Sequence, residues 1–320
     1  MEFDTFHHAY AAVLRSVAEE PTYRNAPRGN ASRERIGVQY RVREAAQRVP
    51  VIPARRLNIV FNFAEALWYL SGRDDLAFIA TYAPSIRKYS ADGVRLTGTA
   101  YGNAIFGRDQ WRTVVDQLRA DPDSKRAVLQ IFRGEELRVP ANPDVSCTLG
   151  LQLLIRDGAL HAIGFMRAND AYRGMSSDVF SFTFLQEVMA RELGLPVGEY
   201  VHSVGSLHVY DPDSRRVDAV LADPATRVDP EFRFPGMPEG DNWPAIREVL
   251  LLEESLRAGN RLGSTVDLPE YWADVVRLFE LHRRVRAGEV VDEELLHPLP
   301  PLYRNLITHW QPRLVAAPTS

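Results

Sequence analysis

Hydrophobic and polar positions alternate over two short runs in the middle of the chain, residues 149–155 and 160–166. A period of two is typical of strands that bury one face. The Asp157-Gly158 dipeptide between the runs favours a two-residue turn. The pattern therefore predicts an antiparallel β-hairpin in the core of the protein.

The turn also determines which residues meet at the open end of this hairpin. Counting outward from it sets Cys147 opposite Ala168 and Arg167 opposite Thr148. An ideal pleat would point the Cys147 and Arg167 side chains to opposite faces of the sheet, because neighbours along a strand alternate. We therefore predict a β-bulge or another break in the ladder here, which would let the guanidinium reach the sulfur.

Apolar residues at helical spacing predict two helices. One begins at Val179, after Ser177-Asp178, and ends at Gly194. The other spans residues 58–71 and is apolar nearly all round, so we expect it to be buried. Glu65 lies inside it, and a buried carboxylate without partners costs on the order of several kcal/mol. This side chain either lines a wet cavity, which we favour, or caps neighbouring backbone.

A further strand and a helical C-terminal part complete the predicted architecture. The strand, residues 200–210, would place His202 and His208 on one face if it stays regular. The helices of the C-terminal part are expected over residues 243–259, 268–288 and 302–310. We predict an α/β (α+β) fold in which residues 1–235 form a mixed sheet packed with helices. Residues 236–320 form a helical extension on the same domain.

Composition and charge exclude several classes of protein. The chain has 320 residues, 45% of them hydrophobic and 25% charged, which is typical of globular proteins. With a net charge of −4 and no run of like charge, neither nucleic acid nor a membrane is an expected partner. Residues 1–15 lack the pattern of a signal peptide, and no apolar stretch reaches the ~18 residues of a membrane span. We therefore expect a cytoplasmic protein.

Cys147 is the only cysteine in the sequence. It excludes an intrachain disulfide and a multi-thiolate metal site, and we predict no metal. Taken alone, such a residue is most often an inert, buried thiol. Its position beside Arg167 favours a second interpretation, because a nearby cation stabilises the thiolate form.

Six short motifs follow one another along the chain. They are Glu65-Ala66-Leu67-Trp68-Tyr69-Leu70, Gly98-Thr99-Ala100-Tyr101-Gly102, Asp121-Pro122-Asp123-Ser124-Lys125-Arg126, Cys147, Arg167-Ala168-Asn169-Asp170 with Gly174 and Asp178, and Gly205-Ser206-Leu207-His208-Val209-Tyr210. In this order and spacing they resemble the thymidylate synthase superfamily over about residues 20–235.

The resemblance implies one-carbon chemistry on a pyrimidine ring. Carbon 5 of a pyrimidine is a poor nucleophile until a thiolate adds to carbon 6, and Cys147 is the candidate thiolate. Arg167 is implied to stabilise this thiolate and to bind the 5′-phosphate of the nucleotide. Glu65 is implied as a general acid/base that works through ordered water, and Tyr101 as its helper near the thiol. The residues implied at the site of the co-substrate, 5,10-methylenetetrahydrofolate, are Asp170 and Gly174.

Further residues are implied to bind a pyrimidine nucleoside monophosphate. Arg28 resembles a phosphate arginine, and Lys125 with Arg126 resembles the pair that the partner subunit supplies in a homodimer. Without the resemblance these three would be interpreted as surface charge. His208 and Tyr210 resemble the pair that hydrogen-bonds the sugar hydroxyl, and would otherwise be half-buried strand residues. Two candidate neighbours of the nucleotide are Ser176 and Arg133.

Asp178 gives the most specific expectation about the base. Thymidylate synthases have asparagine here, whose amide reads the O4 and N3–H edge of uracil. A carboxyl group that carries a proton suits cytosine instead, because it can accept from the 4-amino group and donate to N3. The same replacement marks the cytidylate hydroxymethylases of the superfamily. The alternative role of Asp178 is to cap the helix that begins at Val179.

Departures from the family pattern bear on the reaction outcome. The usual Pro-Cys-His is Ser146-Cys147-Thr148, and the pair of indoles expected between residues 76 and 92 is absent. A looser, wetter pocket favours water over hydride as the species that captures the exocyclic methylene intermediate.

We therefore predict a cytidylate 5-hydroxymethylase that uses methylenetetrahydrofolate and CMP or dCMP and releases tetrahydrofolate. The nearest likeness is to the enzymes of nucleoside-antibiotic pathways, which act on CMP. The alternatives are a divergent thymidylate synthase acting on dUMP and a non-catalytic nucleotide-binding module.

Overall fold

A computed structural model of the chain describes residues 1–263, 267–291 and 293–308. Its strands are β1 (Glu2–Phe3), β2 (Tyr23–Asn25), β3 (Ser32–Val42), β4 (Val128–Gln130), β5 (Thr148–Arg156), β6 (Ala159–Asp170) and β7 (Val197–Tyr210). They form one sheet in the order β1-β3-β7-β6-β5-β4, with β2 beside β3. The pairs β1–β3 and β6–β7 are parallel and the others antiparallel, so the predicted mixed sheet is confirmed.

Strands β5 and β6 form the predicted hairpin. Both residues of its turn have positive φ angles, 49° and 72°, as a type I′ turn requires. Pairing keeps the expected register as far as Gly150 and then shifts at Thr148. The predicted irregularity is therefore confirmed. It sets Cys147 opposite Arg167, whose backbone N–H donates to the Cys147 carbonyl oxygen at 2.8 Å.

Strand β7 does not keep the same alternation over its whole length. Its buried positions are 198, 200, 202 and 204 up to Gly205, and 207 and 209 after it. The single face expected for His202 and His208 assumed a regular strand, and the burial pattern does not keep it, since His202 is buried and His208 is half-buried. A Cβ at Gly205 would come within 2.9 Å of the Arg167 carbonyl oxygen on β6, so the two strands approach closely where the alternation changes.

Seven helices pack around the sheet in the first 235 residues that the structure describes. They are α1 (Phe6–Glu19), α2 (Ile59–Leu70), α3 (Leu76–Tyr82), α4 (Tyr101–Phe106), α5 (Gln110–Ala120), α6 (Met175–Leu193) and α7 (Ser214–Ala222). Helix α2 is the predicted buried helix, and its N-cap Asn58 accepts from the Phe61 N–H at 3.1 Å. Helix α6 begins four residues earlier than predicted, because Gly174 serves as its N-cap without a side-chain hydrogen bond.

The C-terminal extension is helical, as expected. It comprises α8 (Trp243–Arg257), α9 (Glu270–Ala287), α10 (Glu293–Leu296) and α11 (Pro301–Ile307). The end of the predicted helix 302–310 lies outside the described residues. The rings of Tyr271 and Tyr303 pack on Phe63 of α2, with centroids 6.5 and 5.8 Å apart, so the extension shares the apolar core. The division at residue 235 stays a prediction.

Long apolar helices are missing from the described part of the chain. None of the helices there has the length and hydropathy needed to cross a bilayer.

Candidate active site

A cavity of about 440 Å³ opens where the C-terminal ends of β6 and β7 meet the beginnings of β5 and α6. Cavities of this size accommodate small molecules. The cavity brings together nine of the predicted site residues, which are Arg28, Tyr101, Cys147, Arg167, Asp170, Gly174, Asp178, His208 and Tyr210.

The Cys147 thiol and the Arg167 guanidinium lie close together at the β-bulge. Arg167 Nη2 lies 3.8 Å from Cys147 Sγ. The guanidinium is held in this position because Nε donates to the Ser146 carbonyl oxygen and Nη2 to that of Val145, both at 2.8 Å. A cation is thereby fixed beside the sulfur and also faces the cavity.

Burial raises the pKa of the Cys147 thiol above its usual value, and the carboxyls of Asp178 and Asp144 add to this shift. Arg167 and Arg28 lower the pKa of Cys147 but do not outweigh burial. The guanidinium alone therefore does not convert the thiol to a thiolate, and the chemistry also needs a proton acceptor.

Two buried acids hold the segment that leads into Cys147. The Asp144 carboxylate accepts from three consecutive backbone N–H groups, residues 97–99, at 2.7–2.9 Å. Glu136 accepts from the Ser146 N–H at 2.7 Å and from the Ser146 hydroxyl at 3.0 Å. The sequence analysis missed both residues, because their role depends on contacts between distant loops.

Asp178 lies in the first turn of α6 and lines the cavity. Burial raises its pKa to about 7, against the lowering effect of a hydrogen bond from Asn169. That bond joins Asn169 Nδ2 to Asp178 Oδ2 at 2.7 Å. The capping role is wrong, because Gly174 is the N-cap and Asp178 lies inside the helix. Asn169 is a further site residue, and the sequence analysis gave it no role.

Glu65 lies behind the cavity wall and is not among the lining residues. Its carboxyl accepts from the Ser181 hydroxyl at 3.2 Å. Burial raises the pKa of Glu65 to about 8, and the nearby Asp178 adds to the shift. The Ser181 partner is a side chain and not backbone, so the expected backbone cap is not seen among the described residues, and the role of Glu65 beside a wet cavity stays a prediction. Tyr101, which lines the cavity, stacks on Tyr69 with ring centroids 5.0 Å apart.

One side of the cavity is rich in cations. Arg28 lies in a turn with a left-handed φ of 53° and lines the cavity together with Arg167, His208 and Tyr210. Arg173, which the sequence analysis did not single out, also lines it, and its Cζ lies 5.2 Å from the Tyr210 ring centroid. Several guanidinium groups around one space suit a phosphate.

Other lining residues are mostly apolar. They are Phe61, Ala83, Ser85, Ile86 and Tyr89. Asp170 also lines the cavity, and its Oδ1 accepts from the N–H groups of Tyr172 and Arg173 at 2.9 and 2.8 Å. Its Oδ2 is buried and has no hydrogen-bond partner among the residues that the structure describes. Arg173 Nε lies 3.8 Å from this oxygen, which can still accept a hydrogen bond from a ligand.

Four other predicted residues are not brought to this cavity. Lys125 and Arg126 are exposed in the loop before β4, where their role in a partner's site stays a prediction. Arg133 donates to the Thr97 carbonyl oxygen at 3.5 Å. Ser176 is fully buried and accepts from Arg55 Nη2 at 2.9 Å, so its hydroxyl is used inside the protein.

The mixed sheet packed with helices is the fold that the resemblance to the thymidylate synthase superfamily implies. The family model described as Thymidylate synthase matches residues 8–240, and the chain belongs to this family. It is similar to the deoxyuridylate hydroxymethyltransferase of Bacillus phage SP01, with 32% identity over 221 residues. The match covers 64% of this chain and 57% of that relative, so the chain spans little more than half of the relative's length.

Proposed function

We propose that the protein is a cytidylate 5-hydroxymethylase, which transfers a one-carbon unit from 5,10-methylenetetrahydrofolate to carbon 5 of CMP or dCMP. The observation that carries this proposal is Asp178, a carboxyl group with a pKa near 7 in the cavity of the only cysteine. A carboxyl group that still holds its proton near neutral pH can accept from the 4-amino group of cytosine and donate to N3.

The reaction begins with the thiol of Cys147. Its sulfur forms a bond to carbon 6 of the pyrimidine as the thiol proton leaves, and the displaced electron pair makes carbon 5 nucleophilic. Glu65, whose pKa is raised to about 8, is the candidate acid/base, acting through water because it lies behind the wall. Arg167 stabilises the thiolate and binds the phosphate together with Arg28.

The later steps need no oxidant or reductant. The co-substrate supplies, when bound, a carbon at the oxidation level of formaldehyde. Carbon 5 would bond to this carbon and lose its proton, and the bond from this carbon to the folate nitrogen would then break, which releases tetrahydrofolate and leaves an exocyclic methylene group. Water would add to that group, and the bond between Cys147 and carbon 6 would break. The products are the 5-hydroxymethyl nucleotide and tetrahydrofolate.

The residues of the cavity fit the folate co-substrate. Phe61, Ile86 and Tyr89 form an apolar wall for the pterin ring in place of the missing indoles. The Oδ2 of Asp170, which accepts no hydrogen bond from the described residues, is an acceptor for the N–H groups of the pterin. Gly174 contributes space, because a Cβ there would come within 3.1 Å of Asp178 Oδ2.

A second candidate is hydroxymethylation of a uridylate. It is favoured by the relative from Bacillus phage SP01, whose name refers to deoxyuridylate. Conversion of dUMP to dTMP and a purely nucleotide-binding role are further alternatives. The Cys147–Arg167 contact argues against the latter, because a protein that only binds nucleotides needs no thiol there.

The test is to incubate the protein with methylenetetrahydrofolate and CMP, dCMP or dUMP separately and to weigh the products. We expect 5-hydroxymethylcytidylate, no rise in absorbance from dihydrofolate, and loss of turnover in Cys147→Ala. Formation of dTMP with a steady absorbance rise would overturn the proposal. Binding of cytidylate without exchange of the carbon 5 hydrogen would indicate a binding module.

The active unit is proposed to be a homodimer. Val128, Ile163 and Phe165 share one face of the sheet by register, and Val128 and Phe165 are 45% and 38% exposed. Apolar side chains on an open sheet face are typical of an interface. This face supports the expectation that Lys125 and Arg126 reach a phosphate in the partner subunit.

A further inference from the structure

Three buried polar side chains and the half-buried Asp178 form one continuous chain of hydrogen bonds that ends at the cavity. Tyr200 Oη lies 2.7 Å from His202 Nδ1, and His202 Nε2 lies 3.0 Å from Asn169 Oδ1. Asn169 Nδ2 then donates to Asp178 Oδ2 at 2.7 Å. Tyr200 and His202 are fully buried, and only Asn169 and Asp178 line the cavity. We call Tyr200, His202 and Asn169 the relay.

In every hydrogen bond of the relay, the donor is the residue farther from Asp178. Burial lowers the pKa of His202 to about 3, so its imidazole is neutral and has a single N–H. Within the described residues the Tyr200 hydroxyl has no other partner, so it donates to Nδ1 and the ring hydrogen is on Nε2. Nε2 donates to the Asn169 oxygen, which turns the amide nitrogen toward Asp178.

The fold makes room for both ends of the relay. A Cβ at Gly164 would come within 2.4 Å of the Tyr200 hydroxyl oxygen. A Cβ at Gly174 would come within 3.1 Å of Asp178 Oδ2 and 3.4 Å of Asn169 Nδ2. Each end of the relay therefore lies where only a glycine fits without displacement.

We propose that Tyr200, His202 and Asn169 are positioning residues that restrict Asp178 Oδ2 to accepting hydrogen bonds. The proton of the neutral carboxyl group is then confined to Oδ1, and this fixed arrangement of one acceptor and one donor sets the preference for one pyrimidine base. The inference rests on the proposed function, in which Asp178 reads the base. Oδ1 has no hydrogen-bond partner in the described part of the chain, so it is the oxygen that carries the proton when Asp178 is neutral.

The consequence for specificity follows from the two bases. Cytosine presents an acceptor at N3 and a donor at position 4, and uracil presents the reverse order. A neutral carboxyl group with Oδ2 restricted to accepting fits only one of these orders in a given orientation of the ring. If the proton could move to either oxygen, the carboxyl group would fit both bases. The relay thus excludes one base by preventing this exchange.

Variants of the relay test this without changing a group that touches the substrate. His202→Phe removes the donor to Asn169, and Tyr200→Phe removes the hydroxyl that sets the histidine tautomer. Tyr40→Phe is the matched control, because the Tyr40 ring lies 5.2 Å from that of His202 and its hydroxyl has no hydrogen-bond partner among the described residues. His202→Gln restores a donor in place of the imidazole.

The measurements are kcat/KM for dCMP and dUMP on each variant, and Kd for both nucleotides on a Cys147→Ser background. We expect the ratio between the two bases to fall about tenfold in His202→Phe, as the loss of one buried hydrogen bond to a charged or polar partner implies. It should fall severalfold in Tyr200→Phe and stay near the wild-type ratio in His202→Gln and Tyr40→Phe.

If the relay only supports packing, His202→Phe and Tyr200→Phe should lower kcat/KM for dCMP and dUMP by the same factor. The ratio between the two bases would then stay unchanged, which would overturn the inference. If His202→Phe does not fold, the comparison of Tyr200→Phe with Tyr40→Phe decides in its place. A wild-type preference for dUMP would refute the cytidylate proposal, whereas the relay would still predict that its variants erode that preference. The two failures are therefore distinguishable.

Discussion

Asp178 is the residue on which the choice of base depends at the site. Replacing it by asparagine keeps its size but substitutes an amide for the carboxyl group, which suits the N3–H and O4 edge of uracil. We expect Asp178→Asn to lower kcat/KM for dCMP at least about 100-fold, the equivalent of two lost hydrogen bonds, and to raise it for dUMP. The measurement is the rate of product formation from dCMP and from dUMP, followed by mass. If kcat/KM falls by the same factor for both nucleotides, Asp178 does not read the base.

The same side chain predicts how cytidylate affinity depends on pH. Its pKa is raised to about 7 by burial, and the protonated carboxyl group is the form that donates to N3. Affinity should therefore be constant below pH 7 and fall above it. Each further pH unit removes about nine tenths of the remaining protonated form. Calorimetric Kd values for CMP on a Cys147→Ser background should rise about tenfold from pH 8 to pH 9. In Asp178→Asn the weaker Kd should show no such slope.

Single residues also show what the sequence could and could not predict. The contact of Cys147 with Arg167 was predictable, because it follows from counting along a two-residue hairpin and from the bulge that the contact requires. The acids Glu136 and Asp144 and the amide of Asn169 were not predictable as site residues. Their roles depend on hydrogen bonds between different loops and elements, 9 to 45 positions apart along the chain, for which periodicity carries no signal.

At the scale of elements, the C-terminal extension, residues 236–320, fixes the position of a segment outside it that lines the cavity. Helix α3 ends at Tyr82, and the turn that follows it, Pro84–Tyr89, contributes to the apolar wall. The Tyr82 hydroxyl donates to Glu253 on α8 at 2.7 Å, and Arg257 Nε donates to the same carboxyl oxygen at 2.9 Å. Helix α8 therefore fixes the end of α3, and with it one wall of the proposed folate site.

Tyr82→Phe tests this link between α3 and α8. It removes one hydrogen bond from the buried Glu253 carboxyl group and should lower the free energy of unfolding by about 1–2 kcal/mol. The KM for methylenetetrahydrofolate should rise severalfold, with less effect on the KM for the nucleotide. Tyr271→Phe is the matched control, since the hydroxyl of Tyr271 is buried in the same extension without a partner among the described residues. A rise of both KM values alike would contradict a specific effect on the folate wall.

Elements were predicted best where one local signal dominates. Helix α2 has a continuous apolar surface and an Asn58 cap, and both its ends were anticipated to within a residue. The start of α6 was not, because its N-cap Gly174 makes no side-chain hydrogen bond that a sequence could reveal. The change of alternation at Gly205 in β7 likewise depends on the neighbouring strand β6, which approaches it closely.

At the scale of the whole molecule, a single chain leaves one apolar sheet face exposed to solvent and two nearby cations outside the cavity. Val128 and Phe165 expose apolar surface on this face, and Lys125 and Arg126 lie in the loop that leads into its edge strand β4. The proposed homodimer accounts for both features at once. It buries the face and places the two cations near the phosphate site of the partner.

One impaired variant and one inactive variant, produced in the same cells with different tags, test the shared site. Arg126→Ala should lower kcat/KM at least about tenfold through loss of a charged hydrogen bond, and Cys147→Ala should abolish turnover. In a mixed dimer, one site combines an intact Cys147 with an intact Arg126 from the partner. Random assembly makes about a quarter of all sites complete, so about a quarter of the wild-type activity should return.

The matched control pairs Cys147→Ala with Arg167→Ala. Because Cys147 and Arg167 touch within one chain, no mixed dimer of these two variants contains a complete site, and activity should stay lost. Recovery in the first mixture alone therefore identifies Arg126 as a residue that acts across the interface. Failure of the first mixture to recover, with dimers present by light scattering, would assign Arg126 to its own chain's surface and leave the phosphate to Arg28, Arg167 and Arg173.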